Sequence, residues 1–326
     1  METVLITGGT GMVGRYLTRY LLQKGYAVNW LSRKAGETSV GGNESQENKN
    51  QGNKSQENKS QEKKVRVFQW DIDRQTIDEE AIISADYIIH LAGAGVAEQR
   101  WTSKRKQEIL DSRTKSSALI VKALKEIPNT VKTVVSASAI GWYGPDKQDS
   151  KNPFTEEMPS YPGFLGDTCK AWEESIMPVT TFDKRLVRLR IGIVLSGTGG
   201  AITEFKKPLK AGILPIFGTG KQIISWIHIY DLCNLFLYAI ENREMQGVYN
   251  AVAPNPESSR GLMMSLAQTM GRKWALPIPV PAFLLKLLLG EMSIEILKSA
   301  TVSSRKIEAA GFKFTYPVID EALANL

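Results

Sequence analysis

Up to about residue 130, short apolar runs alternate with stretches in which apolar residues recur every three or four positions. Val4-Leu5-Ile6 is a strand-like run that turns at glycines. Tyr16, Leu17, Tyr20 and Leu21 then follow at helical spacing until Gly25. Ala27-Val28-Asn29-Trp30-Leu31 reads as a second strand, Val65 to Trp70 as a third ending at Asp71, and Tyr87 to Leu91 as a fourth ending at Ala92-Gly93. A polar-faced helix is expected from about Ser103 to Lys125, then a fifth strand over Val131 to Val135 and a sixth over Leu186 to Ile191. Strands alternating with helices predict an α/β fold, a doubly wound parallel sheet covered on both faces. Past residue 180 the rhythm changes: Gly197, Gly199 and Gly200 open an irregular region, and prolines at 254, 256, 277, 279 and 281 accompany short helical patterns. This predicts a smaller C-terminal α+β lobe of residues 196–224 and 251–326, beside a sheet domain of residues 1–195 with about 225–250.

One segment breaks the pattern. Residues 43–64 repeat Ser-Gln-Glu-Asn-Lys imperfectly and contain no apolar side chain, so they cannot offset the entropy of ordering. They read as a disordered insertion between two elements, and their five lysines and four glutamates nearly cancel, so they do not explain the chain's net charge of +7. The remaining lysines and arginines are scattered, with no basic stripe interleaved with aromatics, so nucleic acid is not expected as a partner. Cys169 and Cys233 cannot build a disulfide framework, and CxxC metal spacing is absent, so no metal site is expected. The greasiest stretch, Phe283 to Leu289, falls well short of the roughly 20 residues a membrane span needs. With no signal-peptide pattern ahead of Thr3, these features place the chain in the cytoplasm with no membrane partner.

The candidate chemistry begins at Thr7-Gly8-Gly9-Thr10-Gly11-Met12-Val13-Gly14. Gly8, Gly11 and Gly14 stand directly after a strand and before a helix, as a Rossmann-type phosphate loop requires. Gly8 allows the tight turn, Gly11 lets the backbone approach a pyrophosphate, and Gly14 lets the helix pack closely. The helix N-terminus offers free N–H groups to the anion. NAD-selective sites place an acid about 20 residues further on, to hold the ribose 2′-hydroxyl. Here that place reads Leu31-Ser32-Arg33-Lys34. Arg33 with Ser32 suits a 2′-phosphate, so NADP(H) is the expected cofactor; the alternative is a solvated basic turn.

TGGTGMVG, SRK after the second strand, LAG at 91–93 and SASAIGWYG at 136–144 resemble the extended short-chain dehydrogenases/reductases. RWT at 100–102, SR at 112–113, CKAWEE at 169–174, SWIHIYDL at 225–232 and the closing GEM…AGFKF narrow the resemblance to the YfcH-like epimerase family of atypical extended members. The resemblance implies cofactor contacts at Gly8, Thr10, Gly11, Met12, Val13, Gly14, Ser32, Arg33, Leu91, Ala92 and Gly93. It adds Glu108 and Arg113 from the long helix, where an intrahelical ion pair is the other reading, and Asp71, which could equally cap a strand-end turn.

Ordinary members work with Ser and a Tyr-x-x-x-Lys pair, in which lysine lowers the tyrosine pKa. Ser138 and Lys170 match their places, but Gly166 stands where the tyrosine belongs. Tyr143, Cys169, Asp167 and His228 are the candidate replacements. Tyr143 reads equally well as a packed core residue, Cys169 as a thiol against the nicotinamide or within the core, and His228 as structural. Arg190 suits either an anionic substrate group or a carboxylate partner. Phe205, Phe217, Gln222 and Trp226 suggest a modest polar ligand. Two functions stay open: an epimerase-like oxidoreductase with Ser138 polarising an unidentified small-molecule substrate, and a non-catalytic NADP(H)-binding sensor or scaffold.

Overall fold

The computed structural model of the chain describes residues 1–40, 63–146 and 152–326. Its strands, in chain order, are β1 (Thr3–Thr7), β2 (Ala27–Ser32), β3 (Gly36–Val40), β4 (Lys63–Asp71), β5 (Thr76–Ile77), β6 (Tyr87–His90), β7 (Thr133–Ala139), β8 (Arg185–Ile191), β9 (Ile193–Leu195), β10 (Ile213–Phe217), β11 (Ile223–Ile224), β12 (Trp226–His228), β13 (Gly247–Ala251), β14 (Glu257–Ser258) and β15 (Leu276–Val280). The α-helices are α1 (Met12–Gln23), α2 (Glu79–Ile83), α3 (Ser103–Glu126), α4 (Phe164–Ile176), α5 (Ala201–Lys210), α6 (Ile229–Glu241), α7 (Ser259–Thr269), α8 (Ala282–Leu289), α9 (Ser293–Leu297), α10 (Arg305–Ala309) and α11 (Ile319–Ala324).

The main sheet runs β3-β4-β2-β1-β6-β7-β8-β13 with short β5 also against β4, and is parallel except for β3 and β5. Alternation along β1 shows why both faces are covered. Val4 and Ile6 join Leu17, Leu21, Leu232 and Phe236 beneath α1 and α6. Leu5 points the other way, to Ile82, Leu119, Ile120 and Ile176 beneath α2, α3 and α4. A separate core joins α5, α7 and α11 through Ile202, Leu209, Leu262, Leu266, Ala322 and Leu323, with the small pairs β10–β15 and β11–β14 beside it. The molecule is thus a Rossmann-type parallel sheet with an additional lobe of short sheets and helices. No helix among the described residues is long and apolar enough to cross a membrane.

Two expectations change. Lys63 and Lys64, assigned to the disordered insertion, open β4 and pair with Val40 and Ser39, because β3 supplies an antiparallel edge that the polar run Gly36–Val40 does not announce. The rest of that insertion, 43–62, lies outside the described residues. The region after Gly197 is less irregular than expected, since α5 begins at Ala201.

Strand order reverses at β1, with β2 on one side and β6 on the other. Open α/β sheets bind ligands in the crevice this reversal leaves at the carboxyl ends of the strands. Thr7, the last residue of β1, stands there opposite Leu31 and His90.

Candidate functional site

The glycine loop lies in that crevice. Gly8 has φ +72°, and a Cβ there would come within 3.0 Å of the Leu91 carbonyl carbon, so the turn and its contact with the β6 exit both require glycine. A Cβ on Gly14 would lie 2.7 Å from Gly9 Cα, which is why α1 can start against the loop. A Cβ on Gly11 would meet only the Gly8 carbonyl within 4 Å, so the space before it is open. Gly11 is the N-cap of α1; no side chain caps the helix and its first turn carries no acid. This is the anion-receptive end of a helix.

β1 and β6 are clamped by side chains at the same point. Thr7 Oγ1 accepts hydrogen bonds from Leu91 N (3.0 Å) and Ala92 N (3.1 Å), so its own proton goes to His90 Nδ1 at 2.8 Å. His90 Nε2 therefore donates, to Ser117 Oγ at 3.2 Å. Burial lowers the His90 pKa to about 4 and the ring is neutral. Leu91, Ala92 and Gly93 are thus fixed beside the glycine loop. The Arg113 guanidinium donates to Ala94 O (3.0 Å) and Ile109 O (2.9 Å) and lies over the Trp172 ring, supporting this segment from behind.

At the other end of the crevice a cavity of about 490 Å³ is lined by Arg33, Gln69, Asp71, Glu108, Ser112 and Lys115. Three residues nominated from separate parts of the sequence, Arg33, Asp71 and Glu108, meet around it. Asp71 also caps its turn, accepting from Asp73 N (3.0 Å) and Arg74 N (2.9 Å). Glu108 pairs with Arg105 at 2.9 Å, which corrects the reading of an ion pair with Arg113: one turn of α3 brings Arg105 nearer. The uncapped helix end and the open space before Gly11 fit an anionic pyrophosphate, and Arg33 offers a cation in a cavity whose lining also includes the acids Asp71, Asp73, Glu108 and Asp111.

The catalytic candidates form a buried polar network. Ser138, 2% exposed near the end of β7, donates to Glu173 Oε1 at 2.7 Å. Arg190, opposite Ser138 on β8, grips Glu173 through Nε (2.8 Å) and Nη2 (3.1 Å). Of the two roles open to Arg190, the carboxylate partner is the one observed. Its Nη1 donates to Tyr143 Oη at 3.0 Å, and Tyr143 donates to Asn250 Oδ1 at 2.7 Å. Tyr143 is 2% exposed, stacks on Phe154, and burial pushes its pKa up to about 12. Cys169 is buried too, and its thiol is pushed up to about 12 for the same reason. Lys170 lies apart from the network: it is exposed, with Nζ 3.9 Å from Glu174 on its own helix.

The sequence profile of the NAD dependent epimerase/dehydratase family matches residues 4–251, and that of a domain of unknown function, DUF1731, matches residues 280–326. The chain belongs to the NAD-dependent epimerase/dehydratase family. It is 33% identical to the epimerase family protein YfhF of Bacillus subtilis (strain 168) over 325 residues, 99% of this chain and 97% of the relative. It is 32% identical to the epimerase family protein SAR0825 of Staphylococcus aureus (strain MRSA252) over 330 residues, 100% of this chain and 99% of that one. Among solved structures it is similar to the human epimerase family protein SDR39U1 (isoform 2) with NADPH, at TM-score 0.80 and 25% identity, with 99% of this chain and 98% of that chain covered. It also resembles a nucleoside-diphosphate sugar epimerase from Corynebacterium glutamicum, at TM-score 0.71 and 29% identity, covering 99% of this chain and 57% of that chain.

Within this epimerase family member, Gly166 has a structural cause. A Cβ at 166 would run into the Tyr161 carbonyl and lie 2.9 Å from its carbon, so the chain before α4 fills the place a tyrosine would need. Tyr161 N is held to Trp142 O at 2.8 Å, and the Tyr161 ring covers Gly144. The other proposed donors are dispersed. Asp167 is exposed and accepts from Gly163 N at 3.3 Å, at the start of its own helix. His228 caps α6 by accepting from Tyr230 N at 3.2 Å, and burial lowers its pKa to about 4. Gln222 and Trp226, read as pocket-formers, are buried and bonded internally, to Phe217 O (3.0 Å) and Asn255 O (3.0 Å) respectively, which corrects that reading. Sequence reasoning missed Glu173, Asn250 and the Thr7–His90 clamp. Only Glu173 had a signal, as part of CKAWEE one helical turn past Cys169.

Proposed function

We propose that this chain binds NADP(H) across the β1–β6 crevice and carries out hydride transfer on a small molecule in the cytoplasm. Residues 1–195 with about 225–250 would hold the cofactor, and 196–224 with 251–326 would frame the substrate. The observation that carries the reading is the glycine cradle at the strand-order reversal, with Arg33 rather than an acid following the end of β2, where it lines the cavity beyond. Gly8, Thr10, Gly11, Met12, Val13 and Gly14 would meet the pyrophosphate; Ser32 and Arg33 the 2′-phosphate; Asp71 and Glu108 the adenosine end; Leu91, Ala92, Gly93 and Cys169 the nicotinamide half. The NADPH of the human relative's structure supports the choice of NADP over NAD. When bound, the cofactor supplies or accepts a hydride. Ser138 would polarise the substrate oxygen by exchanging its bond to Glu173 for one to substrate. Glu173 tolerates that exchange because Arg190 already satisfies both its oxygens.

A second reading, a binding protein without turnover, is favoured by one observation: position 166 has no room for the usual proton donor, and Tyr143 is buried. One experiment addresses both. NADPH and NADH affinities are measured for the wild type and Arg33→Ala, and NADPH oxidation is followed against a panel of carbonyl compounds with Ser138→Ala as control. We expect NADPH to bind more tightly than NADH, and Arg33→Ala to weaken NADPH by about tenfold or more while sparing NADH. Equal affinities in the wild type would refute the 2′-phosphate role. Tight NADPH binding without turnover would establish the second reading.

A further inference from the structure

Residues 274–294 carry the largest concentration of exposed apolar side chains among the described residues. Trp274, Leu276, Ile278, Phe283, Leu287 and Leu288 are all exposed, with Phe283 at 72% and Leu287 at 70%. They run without interruption along β15, through Pro281, into α8. That helix reads Ala-Phe-Leu-Leu-Lys-Leu-Leu-Leu and buries only Leu285. Monomeric soluble proteins rarely leave contiguous apolar patches larger than a few hundred Å² uncovered.

The backbone and the charges narrow what covers this face. β15 pairs with β10 on one side, where Leu276 N donates to Gly212 O at 2.9 Å. In a parallel pair, residues of the other parity direct their N–H groups to the opposite edge, and here those residues are Pro277 and Pro279. The free edge therefore has no donors with which to recruit another strand, and no amide hydrogen to leave unsatisfied in an apolar phase. Around the face, Lys210, Lys273 and Lys286 are exposed and make no ion pair among the described residues, and Arg272 lies over the Trp274 ring. The acids of the same stretch are already neutralised: Glu291 pairs with Lys106, and Glu295 with Lys298 at 2.8 Å. Two copies placed face to face would oppose unpaired cations with no carboxylate to meet them. Trp, Phe and Leu beside unpaired lysines are instead the composition that lies in a lipid interface.

We infer that β15 and α8 form a docking face for an anionic lipid surface, with the apolar side chains entering the headgroup boundary and Lys273 and Lys286 meeting lipid phosphates. This revises the expectation that no membrane is a partner, which rested on span length and the lack of a signal-peptide pattern; a helix lying flat needs neither. The test is co-sedimentation of the full chain at low salt with vesicles of phosphatidylcholine alone, or of phosphatidylcholine and phosphatidylglycerol in equal parts. NADPH binding is measured in parallel. Binding is expected only to the anionic vesicles, reduced about tenfold or more by Phe283→Ser with Leu287→Ser, and reduced also by Lys273→Glu with Lys286→Glu, whose exposed positions spare the fold. Unchanged NADPH affinity in both variants would show that the crevice is intact. Absence of sedimentation with anionic vesicles, or sedimentation indifferent to both variants, overturns the inference. So does a dimer by light scattering that the Phe283/Leu287 variant dissolves while vesicles bind nothing, which would assign the face to a second copy.

Discussion

Glu173 receives a hydrogen bond from Ser138 and two from Arg190, and Arg188 approaches it at 3.6 Å. Taking a carboxylate and a guanidinium out of water costs several kcal/mol each, and only a pairing of this quality offsets it. The energetic consequence is asymmetric. Removing the carboxylate leaves the buried Arg190 charge without its partner, whereas removing both charges together leaves the less buried Arg188 and the Ser138 hydroxyl to find other partners. Glu173→Ala is accordingly expected to lower unfolding stability by about 3–5 kcal/mol, and Glu173→Leu with Arg190→Met to lose less than that single change. Urea denaturation of the three proteins decides it. A double variant less stable than Glu173→Ala would mean the pair contributes more by its attraction than desolvation takes away.

Between elements, the join of β1 to β6 depends on a histidine that must stay neutral. His90 and His228, the two histidines of the chain, both have pKa values lowered by burial from 6.5 to about 4. Between those values the unfolded chain takes up protons that the folded chain does not, so stability is fully present above about pH 6.5 and falls as the pH drops toward 4. Each histidine accounts for at most about 3 kcal/mol of that loss. His90→Gln is expected to flatten the dependence of the urea midpoint on pH between 7 and 4.5 relative to the wild type. An unchanged slope would show that His90 does not titrate there. The sequence revealed β1, β6 and the glycine cradle because their signals are local: an apolar run, a spacing of three, a helix start. It could not reveal β3, whose run Gly-Glu-Thr-Ser-Val is a strand only because β4 pairs with it. Nor could it reveal the network around Arg190, whose members Ser138, Tyr143, Glu173 and Asn250 come from β7, the turn after it, α4 and β13 and meet only once the sheet is assembled. The vacancy at Gly166 was legible; its cause, the backbone of Tyr161, was not.

At the scale of the whole molecule, two stretches of equal length, 41–62 and 305–326, should matter very differently. Val40 and Lys63 are register partners at the end of the antiparallel β3–β4 pair, close enough for a two-residue turn to join them. Replacing 41–62 by Asn-Gly, which suits such a turn, should therefore leave the fold and NADPH affinity intact, the latter within about twofold. The closing stretch is built into both cores. Ile307 and Phe312 pack in the cluster beneath α1 and α6, while Ile319, Ala322 and Leu323 pack with α5 and α7. Asp231, at the start of α6, accepts hydrogen bonds from Thr315 N (2.8 Å) and Tyr316 N (2.9 Å), which ties the two regions together. Deleting 305–326 would remove five buried apolar side chains and uncover the cores they pack against, the larger ones each worth about 1.5–3 kcal/mol, against a total stability of roughly 5–15 kcal/mol. That chain is expected not to fold, with no cooperative thermal transition and no NADPH binding, while the Asn-Gly replacement melts in one transition near the wild-type temperature. If the truncated chain instead retained NADPH binding, the sheet would have to be stable without its second lobe, and the two cores would be independent.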